Sequence, residues 1–225
     1  MTITPSRLVR SGGGACAAAG LLFLGVQTLH PPEVLAAVTT PRWAAVHALT
    51  LLMALAGLLG LTAVYTQQVR QSGWPGLAGF LLLGLWLVLV AAFTFVETFV
   101  LPLLVTDAPG FVESFLRIFS GHAGPVNLGA LAAAAPLSGA LYMLGGLLLG
   151  LATWRAGVLP RGAGLLMMVA AFAPLMVLPL PHPLHRLAAL PMGLSLLWLG
   201  VALWLAGRAG DAPLSQDQAG LQATT

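Results

Sequence analysis

The stretch Leu77–Leu101 constrains the fold of this chain more than any other, because it is an unbroken apolar run with a single ionisable residue, Glu97. About 20 apolar residues are enough for an α-helix to cross the hydrocarbon core of a bilayer. A carboxylate inside such a helix is costly, so it usually faces the interior of a helical bundle or a polar cavity. The stretch therefore predicts a membrane-spanning helix and makes Glu97 the first candidate for a functional residue.

The composition also indicates a membrane protein. Charged residues make up 7% of the chain and hydrophobic residues 59%, whereas soluble domains carry roughly 25% charged residues. The lipid bilayer is therefore the expected surrounding of the chain. The net charge of +3 comes without a basic cluster, so nucleic acid is not expected as a partner. Cys16 is the single cysteine, which excludes an internal disulfide and a zinc site built from cysteines.

Prolines and polar turns divide the chain into apolar runs that predict an all-α, polytopic membrane protein with six transmembrane helices in one bundle. The predicted spans are about 15–29, 43–65, 77–101, 128–154, 163–180 and 184–206. In this scheme residues 1–12 form a cytoplasmic N-terminal segment and residues 13–206 the transmembrane domain. Residues 207–225 are polar and small, and they form a disordered cytoplasmic tail.

The first span has an alternative interpretation as a cleaved signal peptide, because Leu35-Ala36-Ala37 resembles a small-residue cleavage site. The intervening segment 30–33, with two prolines and a glutamate, is unlike the usual region before a cleavage site. A retained first helix is therefore the preferred interpretation.

The arginines orient the predicted bundle in the cell membrane. On one side lie Arg7, Arg10, Arg70, Arg155, Arg161 and Arg208. On the other side lie Arg42, Arg117 and Arg186. Cytoplasmic loops carry an excess of basic residues, so both termini are predicted to be cytoplasmic.

The loop 102–126 is the longest one predicted on the outer face. Its apolar residues recur at helical spacing, and Glu113 and Arg117 stand four residues apart between them. This pattern predicts a short amphipathic helix over roughly Pro109–Phe119. The helix would either pack on the outer ends of the spans or form a lid over a pocket.

Most ionisable side chains fall on the predicted outer side. They are His30, His47, His122, His182, His185, Glu33, Glu97, Asp107 and Glu113. His47 and Glu97 each lie about one helical turn inside the outer boundary. Below His47 the same helix face carries Thr50, Ala54 and Gly57, small residues that suit a close contact between helices. We therefore expect His47 and Glu97 to face each other, with a further outer histidine near them.

Three hypotheses follow for this pocket. In the first, His47 and Glu97 bind a divalent metal such as zinc together with one or two of the other histidines, for metal handling or metal-assisted chemistry. The candidate ligands from this group are His30, His122, His182 and His185. In the second, Glu97 is the proton site of a proton-coupled carrier for a small solute or ion.

The third hypothesis is that the His47–Glu97 pair only holds the helices together, in a non-catalytic membrane partner subunit or a homo-oligomer. Haem bound by two histidines is less favoured than a divalent metal, because only His47 is clearly inside a span. The residues leave open whether the chain is an enzyme.

The heptapeptide Pro136–Tyr142 (PLSGALY) resembles the serine motif of rhomboid intramembrane proteases. In that family a six-span core places the catalytic serine at the outer start of the fourth span, the position that Ser138 takes here. Two parts of the family's pattern are missing. Pro136 replaces the glycine two residues before the serine, and the sixth span lacks a histidine followed by paired glycines. The resemblance is limited to these seven residues.

Overall fold

The computed structural model describes residues 4–120, 122–177 and 186–210, and the secondary structure in these ranges is helical without any strand. The helices are α1 Pro5–Leu29, α2 Leu35–Val38, α3 Pro41–Phe95, α4 Leu101–Leu104, α5 Pro109–Leu116, α6 Ala134–Ala156, α7 Arg161–Met176 and α8 Ala189–Gly210. A π-helix, Val96–Val100, joins α3 to α4. Two 3-10 turns, Ile118–Ser120 and Gly129–Ala133, lie between α5 and α6.

Four helical segments are long and apolar enough to cross a membrane. They are Pro5–Leu29, Pro41–Leu104, Gly129–Ala156 and Arg186–Arg208, and Arg161–Met176 is a shorter apolar helix. The prediction of an all-α membrane protein is confirmed at this level, while the count of six spans stays a prediction.

The long helix α3 folds back on itself at Gly73. The backbone there has φ 57° and ψ −161°, a conformation that residues with a side chain rarely adopt. Contacts join residues at similar distances along the chain on either side of the turn: Tyr65 stacks on Phe80 with ring centroids 4.8 Å apart. A Cβ placed on Gly57 would likewise lie 3.0 Å from Leu87. Helix α3 is therefore a hairpin of two antiparallel arms, 41–72 (the first arm) and 74–95 (the second arm).

The helix ends differ in part from the predicted boundaries. Helix α1 begins at Pro5, inside the predicted segment 1–12, because the Thr4 side chain accepts a hydrogen bond from the backbone N–H of Arg7 and proline suits the first turn. Helix α7 ends at Met176, earlier than the predicted end of the fifth span. Helix α8 continues to Gly210, so the first four residues of the predicted disordered tail 207–225 are helical. Residues 178–185 and the rest of that tail, from residue 211, lie outside the described ranges.

The long helices form a closed ring, in which α1 contacts α3, α3 contacts α6, α6 contacts α7, α7 contacts α8 and α8 contacts α1. Glycines allow the backbones to approach closely. A Cβ on Gly200 in α8 would lie 2.3 Å from the backbone nitrogen of Ala17 in α1. A Cβ on Gly79 in the second arm would lie 2.3 Å from the backbone nitrogen of Leu149 in α6.

The two ends of this bundle carry different residues. At one end, which we call the cluster end, α1 finishes, α3 starts and the π-helix follows the second arm. At the opposite end, which we call the arginine end, α1 starts, α3 turns at Gly73 and α8 finishes. The described arginines there are Arg7, Arg10, Arg70, Arg155, Arg161 and Arg208. All four described acids and all three described histidines belong to the other end.

Candidate functional site

Trp43, in the first turn of α3, is the centre of the candidate site. Its side chain is fully buried, at 0% exposure. The hydroxyl of Thr40 accepts a hydrogen bond from the Trp43 backbone N–H at 3.2 Å and so caps the helix. The carbonyl of Trp43 accepts a hydrogen bond from Nδ1 of His47 at 2.8 Å, and the two rings stack with centroids 4.0 Å apart. Trp43 therefore fixes the orientation of the His47 imidazole.

The π-helix explains how Trp43 reaches the chain around Glu97. In a regular α-helix the N–H of Leu101 would donate to the carbonyl of Glu97, but here it donates to the carbonyl of Val96. The next residue is Pro102, which has no N–H to donate. The indole Nε1–H of Trp43 donates to the freed Glu97 carbonyl at 2.8 Å. This hydrogen bond ties the start of the first arm to the end of the second.

His47 and Glu97 face each other at the cluster end, with Nε2 and Oε2 3.6 Å apart. The His47 side chain is 2% exposed and that of Glu97 is 21% exposed. Because Nδ1 of His47 donates to a carbonyl, Nε2 presents a lone pair in the neutral ring. This buried Nε2 has no hydrogen-bond partner among the described residues. The expected juxtaposition of the two side chains is confirmed, while their role as ligands stays a prediction.

The distance between the two side chains limits how they interact. It is longer than an N–O hydrogen bond, which spans about 2.7–3.2 Å. Two ligands bound to the same tetrahedral zinc ion, each about 2.1 Å from the metal, lie about 3.4 Å apart. The separation of 3.6 Å therefore suits one metal ion bound by both His47 and Glu97.

His30 is the additional histidine next to this pair. Its ring lies 5.1 Å from the ring of His47 and 6.5 Å from that of Trp43, measured between centroids. Nδ1 of His30 is 2.8 Å from the carbonyl of Pro31 and donates to it. His30 and His47 thus share one arrangement, in which Nδ1 is bound to a backbone carbonyl and Nε2 is left for another partner.

Two arginines hold His30 at the end of α1. Arg42 donates from Nε to the carbonyl of Leu29 at 2.9 Å. Arg186 donates to the carbonyls of Gln27 and His30 at 2.8 and 3.1 Å. These carbonyls at a helix C-terminus have no partner within the helix, and cations stabilise that end of the helix dipole.

The other described candidate, His122, lies apart from this cluster. His122 lines a separate cavity of about 690 Å³ together with Ser114 and Ile118. His182 and His185 lie outside the described residues. Within the described ranges no three His, Cys, Asp or Glu side chains are grouped so that they could hold a metal ion. The structure therefore brings together His30, His47 and Glu97. Nε2 of His47 and Oε2 of Glu97 face each other.

Ser138, which carries the rhomboid-like motif, lies in α6 and is nearly buried. It lines a cavity of about 340 Å³ with Trp86, Tyr142 and Pro174. No histidine is among the described residues that line this cavity. Among the described residues, Ser138 therefore has no histidine beside it in this cavity.

Sequence reasoning missed Trp43, Arg42 and Arg186, all of which position the cluster. Pro102, five residues after Glu97, was the available signal that a carbonyl near Glu97 lacks a backbone donor.

No protein-family model, curated protein or solved structure matches the chain. The site has to be interpreted from the chain's own residues.

Proposed function

We propose that the chain is a multi-pass protein of the cell membrane with six spans and with both termini in the cytoplasm. The two antiparallel arms of α3 count as separate spans, and α7 with the residues that follow it counts as the fifth. The six arginines at the arginine end support a cytoplasmic position for that end.

Cysteine labelling in intact cells tests this topology. Gln71 and Asp107 are exposed at the arginine end and the cluster end, respectively. With Cys16 replaced by alanine, Asp107→Cys should react with a membrane-impermeant maleimide, and Gln71→Cys should react only after the cells are opened. The reverse pattern would invert the topology, and labelling of both residues from outside would contradict the six spans.

The function that the site supports best is binding of a divalent metal ion, such as zinc, at the extracytoplasmic surface by His47, Glu97 and His30. The observation that carries this proposal is the buried, unpartnered Nε2 of His47 at 3.6 Å from the Glu97 carboxylate. Metal-bound histidines usually donate their other ring nitrogen to a carbonyl or carboxylate. Both His47 and His30 already make such a bond. Metal binding requires a shift of His30, because three ligands are not yet grouped.

An ion held in this way would keep an open coordination position, because three protein ligands leave one site for water or a small ligand. The 21% exposure of Glu97 gives that position access to the surface. The ion would serve either metal handling or metal-assisted chemistry, in which a bound water is activated.

A proton-coupled carrier is the second candidate, because a carboxylate facing the lone pair of a neutral imidazole can share a proton with it. The packing below the site favours the first candidate. Ala54 is fully buried, and Leu87 lies within 3.0 Å of the position that a Cβ would take on Gly57. The two arms of α3 are therefore closed against each other below His47, which suits a site open at one surface.

Zinc titration of the chelator-treated protein in detergent separates these functions. Glu97→Gln keeps the shape of the side chain and removes a ligand, so zinc affinity should fall at least 10- to 100-fold. Glu113→Gln, which removes an exposed acid at the same end, is the matched control and should bind zinc like the wild type.

A wild-type protein that binds no zinc would overturn the metal proposal. If Glu97→Gln then abolishes pH-driven uptake of a small solute or ion into vesicles, the proposal of a proton-coupled carrier is correct. If it only lowers the thermal stability, His47 and Glu97 form a structural pair in a non-catalytic subunit.

A further inference from the structure

Two cavities at the cluster end share part of their walls. The larger one, about 750 Å³, lies between the end of α1 and the start of α8 and includes Glu33 and Arg117. The smaller one, about 340 Å³, includes Trp86 and Tyr142. We call them the polar cavity and the aromatic cavity. Both are lined by Gln27, Arg186 and Ala189, so one ligand can occupy both.

The polar cavity carries groups of both charges. Arg186 is held in place because one of its nitrogens donates to the carbonyls of Gln27 and His30. A guanidinium fixed in this way presents its remaining donors in a planar fork that suits a phosphate. Glu33 is an exposed carboxylate on the same cavity and suits an ammonium group. Phosphate and ammonium together are the headgroup of a zwitterion.

The aromatic cavity extends into the apolar part of the bundle. The ring of Trp86 lies 6.1 Å from that of Phe23 and 4.9 Å from that of Tyr142, measured between centroids. Trp86 precedes Glu97 by 11 residues in the same arm, which at 1.5 Å per residue places it about 16 Å deeper. Because Glu97 itself lies about one helical turn inside the outer boundary, Trp86 lies beyond the middle of the roughly 30 Å hydrocarbon core. An apolar cavity at such a depth suits an acyl chain.

We propose that the polar and aromatic cavities together bind one zwitterionic phospholipid with an amine headgroup. Its phosphate binds Arg186, its ammonium group lies at Glu33, and one acyl chain fills the aromatic cavity. A soluble phosphorylated amine would satisfy only the polar cavity and would leave the aromatic one unused. Each cavity, of about 750 and 340 Å³, is within the range of ligand sites, about 300–1,000 Å³. The proposal does not depend on metal binding by His47 and Glu97.

Fluorescence quenching by lipids with brominated acyl chains tests the proposal on the purified protein in detergent. Brominated phosphatidylethanolamine should quench the tryptophan emission in a saturable manner, and Trp86→Phe should remove most of that quenching. Phosphatidylglycerol of the same chain length should bind at least 10-fold more weakly, because it has no ammonium group for Glu33. Glu33→Gln should abolish this preference.

Two variants test the acyl chain without touching the hydrogen bonds of Arg186. Gly139 lines the aromatic cavity, and a Cβ added there would meet nothing within 4 Å. Gly139→Leu should therefore fold normally and weaken lipid binding at least 10-fold. Gly25 has equally open surroundings and lines neither cavity, so Gly25→Leu is the matched control and should bind lipid like the wild type.

The source of the headgroup is tested by competition with soluble glycerophosphoethanolamine. Weak competition, at least 100-fold below that of the lipid, would support binding of the whole phospholipid. If glycerophosphoethanolamine competed at the same concentration as the lipid, the site would bind a soluble phosphorylated amine. That result would overturn the proposal of a bound phospholipid. Equal affinity for phosphatidylethanolamine and phosphatidylglycerol would also overturn the proposal. So would wild-type lipid affinity in Gly139→Leu.

Discussion

The cluster end and the arginine end of the bundle differ in the number of their arginines and in the acids that accompany them. At the cluster end Arg42 and Arg186 donate to the last carbonyls of α1, and Arg117 pairs with Glu113. At the arginine end the described part contains six arginines and no acid. The count of six arginines against three that oriented the chain is therefore joined by a second difference, because all four described acids lie at the cluster end.

The two ends also differ in how their helices are held. At the arginine end the backbones approach closely: a Cβ on Gly13 would lie 2.6 Å from the backbone nitrogen of Trp204, and one on Gly207 would lie 2.8 Å from the Ser6 carbonyl oxygen. At the cluster end long side chains reach backbone carbonyls, as Trp43 and Arg186 do. Direct backbone contact leaves no space between α1 and α8 there, and the cavity of about 390 Å³ at this end lies between α1 and the first arm instead. The side-chain contacts of the cluster end surround the polar and aromatic cavities.

The largest change in the free energy of unfolding is expected for the tryptophans of the two ends. Trp43→Ala should lower the free energy of unfolding by about 3–5 kcal/mol, because it removes a fully buried side chain. Trp204→Ala should cost at most about 2 kcal/mol, mainly through loss of the contact with the Arg208 guanidinium, 3.9 Å from its ring. Unfolding in mixed micelles measures both values, and equal losses would contradict the difference between the ends.

A pair of adjacent glycines tests the close packing of the arginine end. Gly13→Ala should destabilise the protein by about 1–3 kcal/mol, because the new methyl group would overlap the backbone of α8. Gly14→Ala meets nothing within 4 Å and should be neutral or stabilise by up to about 1 kcal/mol. Thermal unfolding in detergent should therefore shift in opposite directions. A similar shift for both would mean that α1 and α8 are not in close contact there.

The arginines provide the next smaller effect. Arg42→Gln should cost about 0.5–1.5 kcal/mol, because the carbonyl of Leu29 loses its donor. Arg155→Gln, an exposed residue at the opposite end, should stay within about 0.5 kcal/mol of the wild type. Unfolding in mixed micelles measures the free energy for both variants. If Arg155→Gln were the more damaging variant, Arg155 would have a structural role as well.

The smallest effect is expected for the exposed pair of Glu113 and Arg117, which lie four residues apart on α5 and its end. A double-mutant cycle with Glu113→Gln and Arg117→Gln should give a coupling energy of about 0.2–0.5 kcal/mol. The coupling should shrink in 1 M salt, because exposed charges are screened. A coupling above 1 kcal/mol would show that this pair, like Arg42 and Arg186, holds the cluster end together.

The sequence predicted the all-helical class and the pairing of His47 with Glu97. Both depend on local features: uninterrupted apolar runs, a short turn, and the small residues Thr50, Ala54 and Gly57 below His47. The contacts of Arg186 could not be predicted, because its partners lie 159 and 156 residues away in the chain. The place of His122 was equally inaccessible, since it follows α5 in an irregular segment whose course no periodicity describes.

The π-helix sets the rotational phase of the second arm. A π-turn holds one residue more than an α-turn, and one residue corresponds to about 100° of rotation about the helix axis. If Val96–Val100 closed into a regular α-helix, everything before it would turn by that angle relative to α4 and α5. Val96 still has helical angles, φ −63° and ψ −45°, so Glu97 continues the second arm and the inserted residue turns α4 and α5 relative to it. Pro102 together with the Trp43 indole keeps the insertion in place. The direction in which α4 and α5 leave the site therefore depends on one turn of the backbone.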